Sequence, residues 1–416
     1  MVTLSGRATT VRQGSSIALR AAGTALEFVG YVILARRLGP GAFGQISVAL
    51  VIVRFAALLG DSGAGYGGTR EVASRGVDSP RVWAWQRNRQ IRSVGLAVVF
   101  VVACAVSGHV ALMPFAIGLV ARGAHRDWIA LGEGAVVRSS APGIVHGLVI
   151  VTGAALVSSL GAAAMVAGAA AAAWIATSAV LNPRPAHAAP AAGSDTGGLA
   201  GRTATIGSWG LVALFADSLV QSLDVVLLSF LRSNAEAGVY AAVYRIPNAL
   251  LLLLGLSVTS AVPRMVALHA DPEAAPALRR RCLRLGAVLA AVTLTIGLVA
   301  VGTVGTVFGP AYTAGRRPLL LLLLATTFTA FSVPLRTLQL VTGSDRAVAR
   351  AAVTNSLLVT AGYLVLIPRW GMIGAAAATA VAQFLYLVFF VAVTAGSPTE
   401  AAAVSPSPVR PATSRT

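Results

Sequence analysis

The chain is a succession of apolar runs of about 17 to 25 residues, the length that crosses a bilayer as a helix, separated by short segments rich in arginine, glycine and proline. The runs predict spans at 15–35, 42–62, 93–109, 110–131, 142–159, 161–180, 208–231, 239–260, 285–307, 318–340, 351–367 and 371–394. In hydrocarbon every backbone polar group must be satisfied internally, so such runs form helices. The pattern predicts an all-α polytopic membrane protein of about twelve transmembrane helices. Two spans are irregular: 93–109 is short, and 110–131 is interrupted by Arg122, His125 and Arg126.

Composition agrees. Hydrophobic residues make up 56% and charged residues 11%, against about 25% charged in a soluble domain, and the mean hydropathy is +0.79. The formal charge of +18 comes from 32 basic residues, all of them arginine. They are scattered between spans rather than gathered on one face, which excludes a nucleic-acid-binding module. Cys104 and Cys282 have no metal-ligand spacing and no disulfide pattern, so no cofactor or metal centre is expected.

The arginines set orientation, because cytoplasmic segments of membrane proteins carry the excess of positive charge. With the N-terminus cytoplasmic, 22 arginines fall on the inner side and 6 on the outer. Both termini are therefore expected in the cytoplasm, and the basic N-terminal lead is read as retained. Residues 181–207, rich in proline, glycine and small polar residues, read as a cytoplasmic linker between an N-terminal six-helix lobe at 1–180 and a C-terminal one at 208–394. Residues 395–416 read as a disordered cytoplasmic tail.

Charge inside the spans is the main functional signal. Arg20 and Glu27, Arg54 and Asp61, and Asp217 and Asp224 are each seven residues apart, two helical turns, which places each pair on one stripe of its helix. A charge near the bilayer centre costs about 2.5 to 3.5 kcal/mol even on the lenient insertion scale. Repetition on three helices implies a polar interior shared between them, a central cavity. Arg245 and Arg336 also lie within spans. A guanidinium is always protonated and makes bidentate contacts with phosphate. A desolvated carboxylate can be tuned to exchange protons, or it can simply neutralise a nearby arginine.

The halves are internally related. Leu26-Glu27-Phe28-Val29 has a counterpart in Leu223-Asp224-Val225-Val226, and Ala42-Phe43-Gly44 in Glu236-Ala237-Gly238 at the following turn. Repeats of equal topology place a transport site between the halves near the midplane.

Several segments in order, LARRLGPGAFGQISVAL at 34–50, GTREVASRG at 68–76, LDVVLLSFLRSNAEAGVYAAVYRIPNALLLL at 223–253, FGPAYTAG at 308–315 and IPRWGMIGAAAATAVAQ at 367–383, resemble the Wzx-type polysaccharide flippases of the multidrug/oligosaccharidyl-lipid/polysaccharide exporter superfamily. The resemblance implies two six-helix lobes around a central cavity in a bacterial plasma membrane. It also implies alternating access that carries a polyprenyl-diphosphate-linked oligosaccharide outward for cell-surface polysaccharide synthesis, alongside a polysaccharide polymerase and glycosyltransferases. Arg20, Arg54, Arg245 and Arg336 are then the candidate diphosphate contacts, and Glu27, Asp61, Asp217 and Asp224 the candidates for coupling to Na⁺ or H⁺. Gln221 and Asn248 are candidates for sugar hydroxyls.

Two other functions compete. A drug or metabolite exporter on the same scaffold would favour acidic and aromatic residues for cationic substrates, which four intramembrane arginines oppose. A membrane glycosyltransferase or polymerase would need a sizeable loop carrying carboxylates. Here the expected outer loops are short and hold Glu236 as their only acid, so an enzyme is not expected.

Overall fold

A computed structural model of the chain describes residues 3–61, 64–183, 216, 218, 220–269, 275–341 and 345–396. Most of the expected linker, Asp217 and the tail beyond Gly396 lie outside the described residues.

The first helix, α1 (Thr3–Asp61), contains an apolar stretch of 44 residues from Ala18. At 1.5 Å per residue that is about twice the thickness of a bilayer core. It folds back at Gly39, whose φ of 72° only glycine adopts without strain, and so makes two spans. The last helix, α12 (Asp345–Gly396), does the same at Gly371, where φ is 54°. Between them run α2 (Ala64–Arg75), α3 (Pro80–Val106), α4 (Ala116–Ala124), α5 (Asp127–Gly132), α6 (Val136–Ala154), α7 (Leu160–Leu181), α8 (Leu223–Leu231), α9 (Asn234–His269), α10 (Ala275–Phe308) and α11 (Arg316–Val341). The two arms of α1 with α3, α4, α6 and α7 form one six-helix lobe. α8 to α11 with the two arms of α12 form the other.

Several boundaries differ from the sequence pattern. α3 begins at Pro80, well before the apolar run, because Pro at the first helical position starts a helix that continues through Arg81, Arg87, Arg89 and Arg92. The expected span 110–131 is not one helix. A 3₁₀ segment at Val110–Phe115 leads into α4, which stops where His125 turns extended with ψ of 149°, and Asp127 starts α5. The expected 142–159 is displaced to Val136–Ala154, with Pro142 inside the helix rather than at its start. In the seventh span, residues 221–222 form a turn before α8.

The chain is a multi-pass membrane protein. Val98, Val102, Val299, Leu364 and Val365 are each more than half exposed on helices that are long and apolar enough to span a bilayer, as lipid-facing side chains must be. Between helices, small residues replace the missing hydrophobic drive with close backbone approach. A Cβ on Gly23 would stand 3.1 Å from the Gly143 carbonyl carbon of α6.

The same device joins the lobes at the Gly39 face. A Cβ on Gly44 would collide with the Asn234 carbonyl oxygen, and one on Gly238 with the Pro40 carbonyl oxygen. These are the two glycines of the internal repeat, each pressed against the backbone of the other lobe. Nearby, Arg36 Nη2 donates to the Thr306 carbonyl at 2.9 Å and Tyr312 Oη donates to the Ala35 carbonyl at 2.8 Å. The lobes are thus closed at the Gly39 face.

Closure that depends on absent Cβ atoms should be lost when they are supplied. Spin labels at Leu156 and Thr313, exposed ends of opposite lobes, should report a longer and broader distance distribution in Gly44→Ala and Gly238→Ala than in the parent. An unchanged distribution in both would mean that these glycines do not set the contact.

Candidate functional site

Two turns above the end of α1, Arg54 reaches from the N-terminal lobe to the break that precedes α8. Its Nη1 donates to Ser222 Oγ at 3.3 Å and its Nη2 to Gln221 Oε1 at 3.1 Å. Ser222, with φ of −152°, is the residue before the first turn of α8. A helix interrupted within the membrane is tolerated only where it lines a cavity or is buried in protein, and here both conditions are met.

The cavity beside the break measures about 530 Å³, within the range of about 300 to 1,000 Å³ of ordinary ligand sites. α9 presents Tyr244, Asn248 and Leu251 to it, α11 presents Thr326, Thr329, Ser332 and Arg336, and the arms of α12 present Asn355 and Gln383. Among the described residues the N-terminal lobe contributes Thr24 and Arg54, and the C-terminal lobe makes most of the wall. The described lining holds two arginines, several amides and hydroxyls, and no carboxylate. It is a cationic, hydrogen-bonding chamber with apolar leucines between its polar groups.

Of the four arginines singled out by sequence, Arg54 and Arg336 line this cavity. Arg20 instead reaches α6, where its Nε lies 3.4 Å from Ser140 Oγ and its Nη2 3.5 Å from Ser139 Oγ. Arg245, on α9, inserts between lobes: its guanidinium carbon lies 3.5 Å from the ring centre of Tyr31 and 5.5 Å from that of Phe43. Both rings belong to α1. A guanidinium over an aromatic face gains about 2 kcal/mol or more when desolvated.

The described carboxylates Glu27, Asp61 and Asp224 do not line the cavity. Glu27 stands one turn before Tyr31 on α1, and its Oε1 lies 4.0 Å from His146 Nδ1. Because Tyr31 is also the platform for Arg245, Glu27 feels the charge of a residue in the other lobe. Asp224, at the related position of the second half, is fully enclosed. It accepts from the Tyr240 hydroxyl at 2.7 Å and from the Val225 amide at 2.8 Å, partners within its own lobe. The Arg54 and Asp61 pair of the sequence does not form a contact of its own. Asp61 Oδ1 is 2.6 Å from Arg89 Nε, while Arg54 serves the cavity.

Arg89 heads a polar network that the sequence did not expose. Its Nη2 donates to the Arg122 carbonyl at 2.9 Å and to His125 Nε2 at 3.1 Å. An arginine only donates, so His125 Nε2 accepts and the imidazole proton sits on Nδ1, which is 3.5 Å from Asp127 Oδ2. Asp127 in turn accepts from Trp174 Nε1 at 2.6 Å and Ser178 Oγ at 2.5 Å. The chain Asp61, Arg89, His125, Asp127 ties α1, α3, the α4–α5 break and α7 at the Asp61 face. The signal lay in Arg122, His125 and Arg126, which reads as a weak span and is instead a helix break held by charge. A further legible signal is the spacing of Thr326, Thr329, Ser332 and Arg336 at three or four residues, a polar stripe on one face of α11.

Because Arg89 is almost fully buried and Asp61 is 25% exposed, Arg89→Ala leaves a largely desolvated acid without its cation. The expected loss is at the low end of the range for a broken buried pair, about 3 kcal/mol. It should appear as a clear drop in melting temperature of the purified protein, with Arg54→Ala close to the parent. Equal melting temperatures for Arg89→Ala and the parent would remove the network from the stability of the lobe.

No protein-family model and no curated protein sequence matches the chain. Among solved structures it is similar to a multidrug resistance MATE family transporter of the MOP superfamily in an inward-facing conformation, at 13% identity and a TM-score of 0.68 over 90% of this chain and 96% of that one. It is similar to the lipid II flippase MurJ in an inward closed conformation, at 10% identity and a TM-score of 0.67 over 90% of this chain and 86% of that one. An outward-facing MATE family transporter of the MOP superfamily superimposes less well, with a TM-score of 0.54 at 14% identity over 93% of this chain and 96% of that one. The chain has the fold shared by the MATE transporters and MurJ.

Proposed function

We propose that the protein is an alternating-access flippase that moves a polyprenyl-diphosphate-linked oligosaccharide from the cytoplasmic to the outer leaflet of a bacterial plasma membrane. The Gly39 face is then the outer one, and the state described here is closed to the outside. The observation that carries the reading is the described cavity lining: Arg54 and Arg336 with amides and hydroxyls, and no carboxylate. A diphosphate carries permanent negative charge that hydrocarbon excludes, and a planar, always charged fork is its natural partner. The hydroxyls of α11 and the amides of Gln221, Asn248 and Gln383 supply donors and acceptors for sugars. The N-terminus of α8, open at Ser222 beside Arg54, adds a positive dipole end.

The likeness to MATE drug transporters makes a cation-coupled exporter of drugs or metabolites the alternative on this fold. Two cavity arginines and no described lining acid oppose a cationic drug. Neither reading makes the protein an enzyme.

On the flippase reading, Arg54→Ala should reduce flipping of a lipid-linked oligosaccharide in proteoliposomes by about a hundredfold or more, as loss of two charge-assisted contacts implies. Arg54→Lys should retain part of the rate, because charge persists without the fork. Wild-type flipping by Arg54→Ala at matched protein level would take the arginine out of the headgroup site.

Coupling to H⁺ or Na⁺ is assigned to Glu27 ahead of Asp61 and Asp224. A coupling group must change surroundings between states. Glu27 stands one turn from Tyr31, whose ring carries Arg245 of the opposing lobe, so parting of the lobes would change its surroundings. Asp224 meets Tyr240 and Val225 of its own lobe, and Asp61 pairs with Arg89 of its own lobe. Glu27→Gln should therefore abolish the response of flipping to an imposed ion gradient while downhill flipping persists, and Asp224→Asn should keep that response. Intact gradient dependence in Glu27→Gln would transfer the role to another acid, Asp217 included.

A further inference from the structure

The break between α4 and α5 is held to its lobe by side chains, and one of them changes charge in the physiological range of pH. His125 lies extended between the two helices, with its amide on the Ala121 carbonyl at 2.9 Å. Its ring stands between opposite charges: Arg89 Nη2 of α3 is 3.1 Å from Nε2, and Asp127 Oδ2 of α5 is 3.5 Å from Nδ1. Beyond them, Asp61 of α1 pairs with Arg89. On the α7 side is Trp174, its ring centre 6.0 Å from that of His125. The Arg122 guanidinium of α4 and the His146 ring of α6 flank the same indole at 6.0 and 5.2 Å. Arg126 is turned toward Trp83 and the Asn182 carbonyl.

Neutral His125 can only accept from Arg89, because a guanidinium has no lone pair to give. A proton on Nε2 removes the acceptor and sets cation against cation at 3.1 Å. One of the two must move, and their other partners decide which. Arg89 is 4% exposed and is also held by Asp61 at 2.6 Å, by the Arg122 carbonyl at 2.9 Å and by Gln86 at 3.4 Å. His125 is 22% exposed, so a proton can reach it, and Asp127 lies within a small ring movement of Nδ1. That carboxylate is already fixed, since Trp174 Nε1 and Ser178 Oγ donate to it at 2.6 and 2.5 Å. The imidazolium therefore leaves Arg89 and closes on Asp127.

We propose that His125 is a proton-binding site that ties the α4–α5 break to α3 when neutral and releases it when protonated, so that the N-terminal lobe responds to acid at the Asp61 face. The proton is taken from water as the pH falls and returned as it rises, and nothing else is exchanged. The tie to Arg89 is thus present on the alkaline side of the histidine range and lost on the acid side. In the orientation that the arginines predict, the Asp61 face is cytoplasmic. The consequence extends toward the cavity, because α4 rests on the second arm of α1. A Cβ on Gly118 would stand 3.5 Å from Val53, the residue before Arg54. The site is separate from Glu27 and depends on neither the substrate nor the coupling ion.

The test uses the full chain in nanodiscs with isotope-labelled histidine, followed by nitrogen NMR as the pH falls from about 8 to about 5, the interval in which histidine changes charge. At the upper end the His125 signal, assigned by its loss in His125→Gln, should be the neutral Nδ1–H tautomer with a bare Nε2. At the lower end both nitrogens should carry protons. Hydrogen exchange of α4 and α5, corrected for the intrinsic effect of pH, should quicken about tenfold in the parent over the same interval, as loss of one charge-assisted hydrogen bond implies. In His125→Gln the side-chain oxygen still accepts from Arg89 and cannot titrate, so exchange should stay at the parent's upper-end value throughout. His146→Gln should keep the parent's response. An Nε2–H tautomer at the upper end, parent exchange that ignores pH, or an acid response that survives in His125→Gln overturns the proposal. The parent's own exchange decides even if His125→Gln fails to fold.

Discussion

A guanidinium inside a bilayer must be given a partner, and the arrangement of this protein follows from where each one finds it. Arg20 is satisfied by two serines of α6, Arg245 by the faces of Tyr31 and Phe43, and Arg89 by Asp61 and a string of acceptors. Among the described residues Arg54 has neutral partners, Gln221 and Ser222. The difference is functional in character. A cation held by a carboxylate is neutralised, whereas one held by an amide and a hydroxyl keeps its charge available to a ligand. Among the described residues the cavity lining is positive because Glu27, Asp61 and Asp224 lie off it.

That segregation also divides the acids. Glu27 and Asp224 occupy related positions of the two halves, and each has a tyrosine nearby: Tyr31 one turn along α1 from Glu27, and Tyr240, whose hydroxyl donates to Asp224. The tyrosines differ in what stands behind them. Tyr240 belongs to the sealed interior of the C-terminal lobe, where Asp224 is wholly inaccessible. Tyr31 lies on the seam between lobes and carries Arg245 on its face. A duplicated scaffold has thus kept one acid as an internal strut and exposed the other, through a single ring, to the relative motion of the lobes.

Much of this was legible in the sequence. Apolar runs located the crossing segments, and Gly39-Pro40-Gly41 marked a tight turn. Short similarity between Ala42-Phe43-Gly44 and Glu236-Ala237-Gly238 marked an internal repeat, and the structure shows the lobes meeting at its two glycines. What the pattern could not give was the direction of each charge. Arg54 and Asp61 share a helical stripe, but two turns separate them by about 10 Å along the axis, enough for one to face the opposing lobe and the other to face α3. The break at His125-Arg126 was hidden because a charged interruption in an apolar run looks like a poor span. It is a designed discontinuity whose backbone groups are bound by Gln86 and Arg89.

The lobe contact at Gly44 and Gly238 and the seam at Arg245 act at different depths of one hinge. Glycines near the turns contribute shape: with no Cβ, backbone meets backbone, and the contact is weak enough in dispersion to be remade in each cycle. Arg245, seven residues beyond Gly238 on α9, contributes a desolvated charge that must be rehydrated or re-paired when the lobes part. Separation at the glycines costs little, and separation at Arg245 costs whatever the new surroundings fail to return. On the alternating-access reading, the energetic control of opening would then lie at the arginine, while the glycines decide whether closure is geometrically allowed.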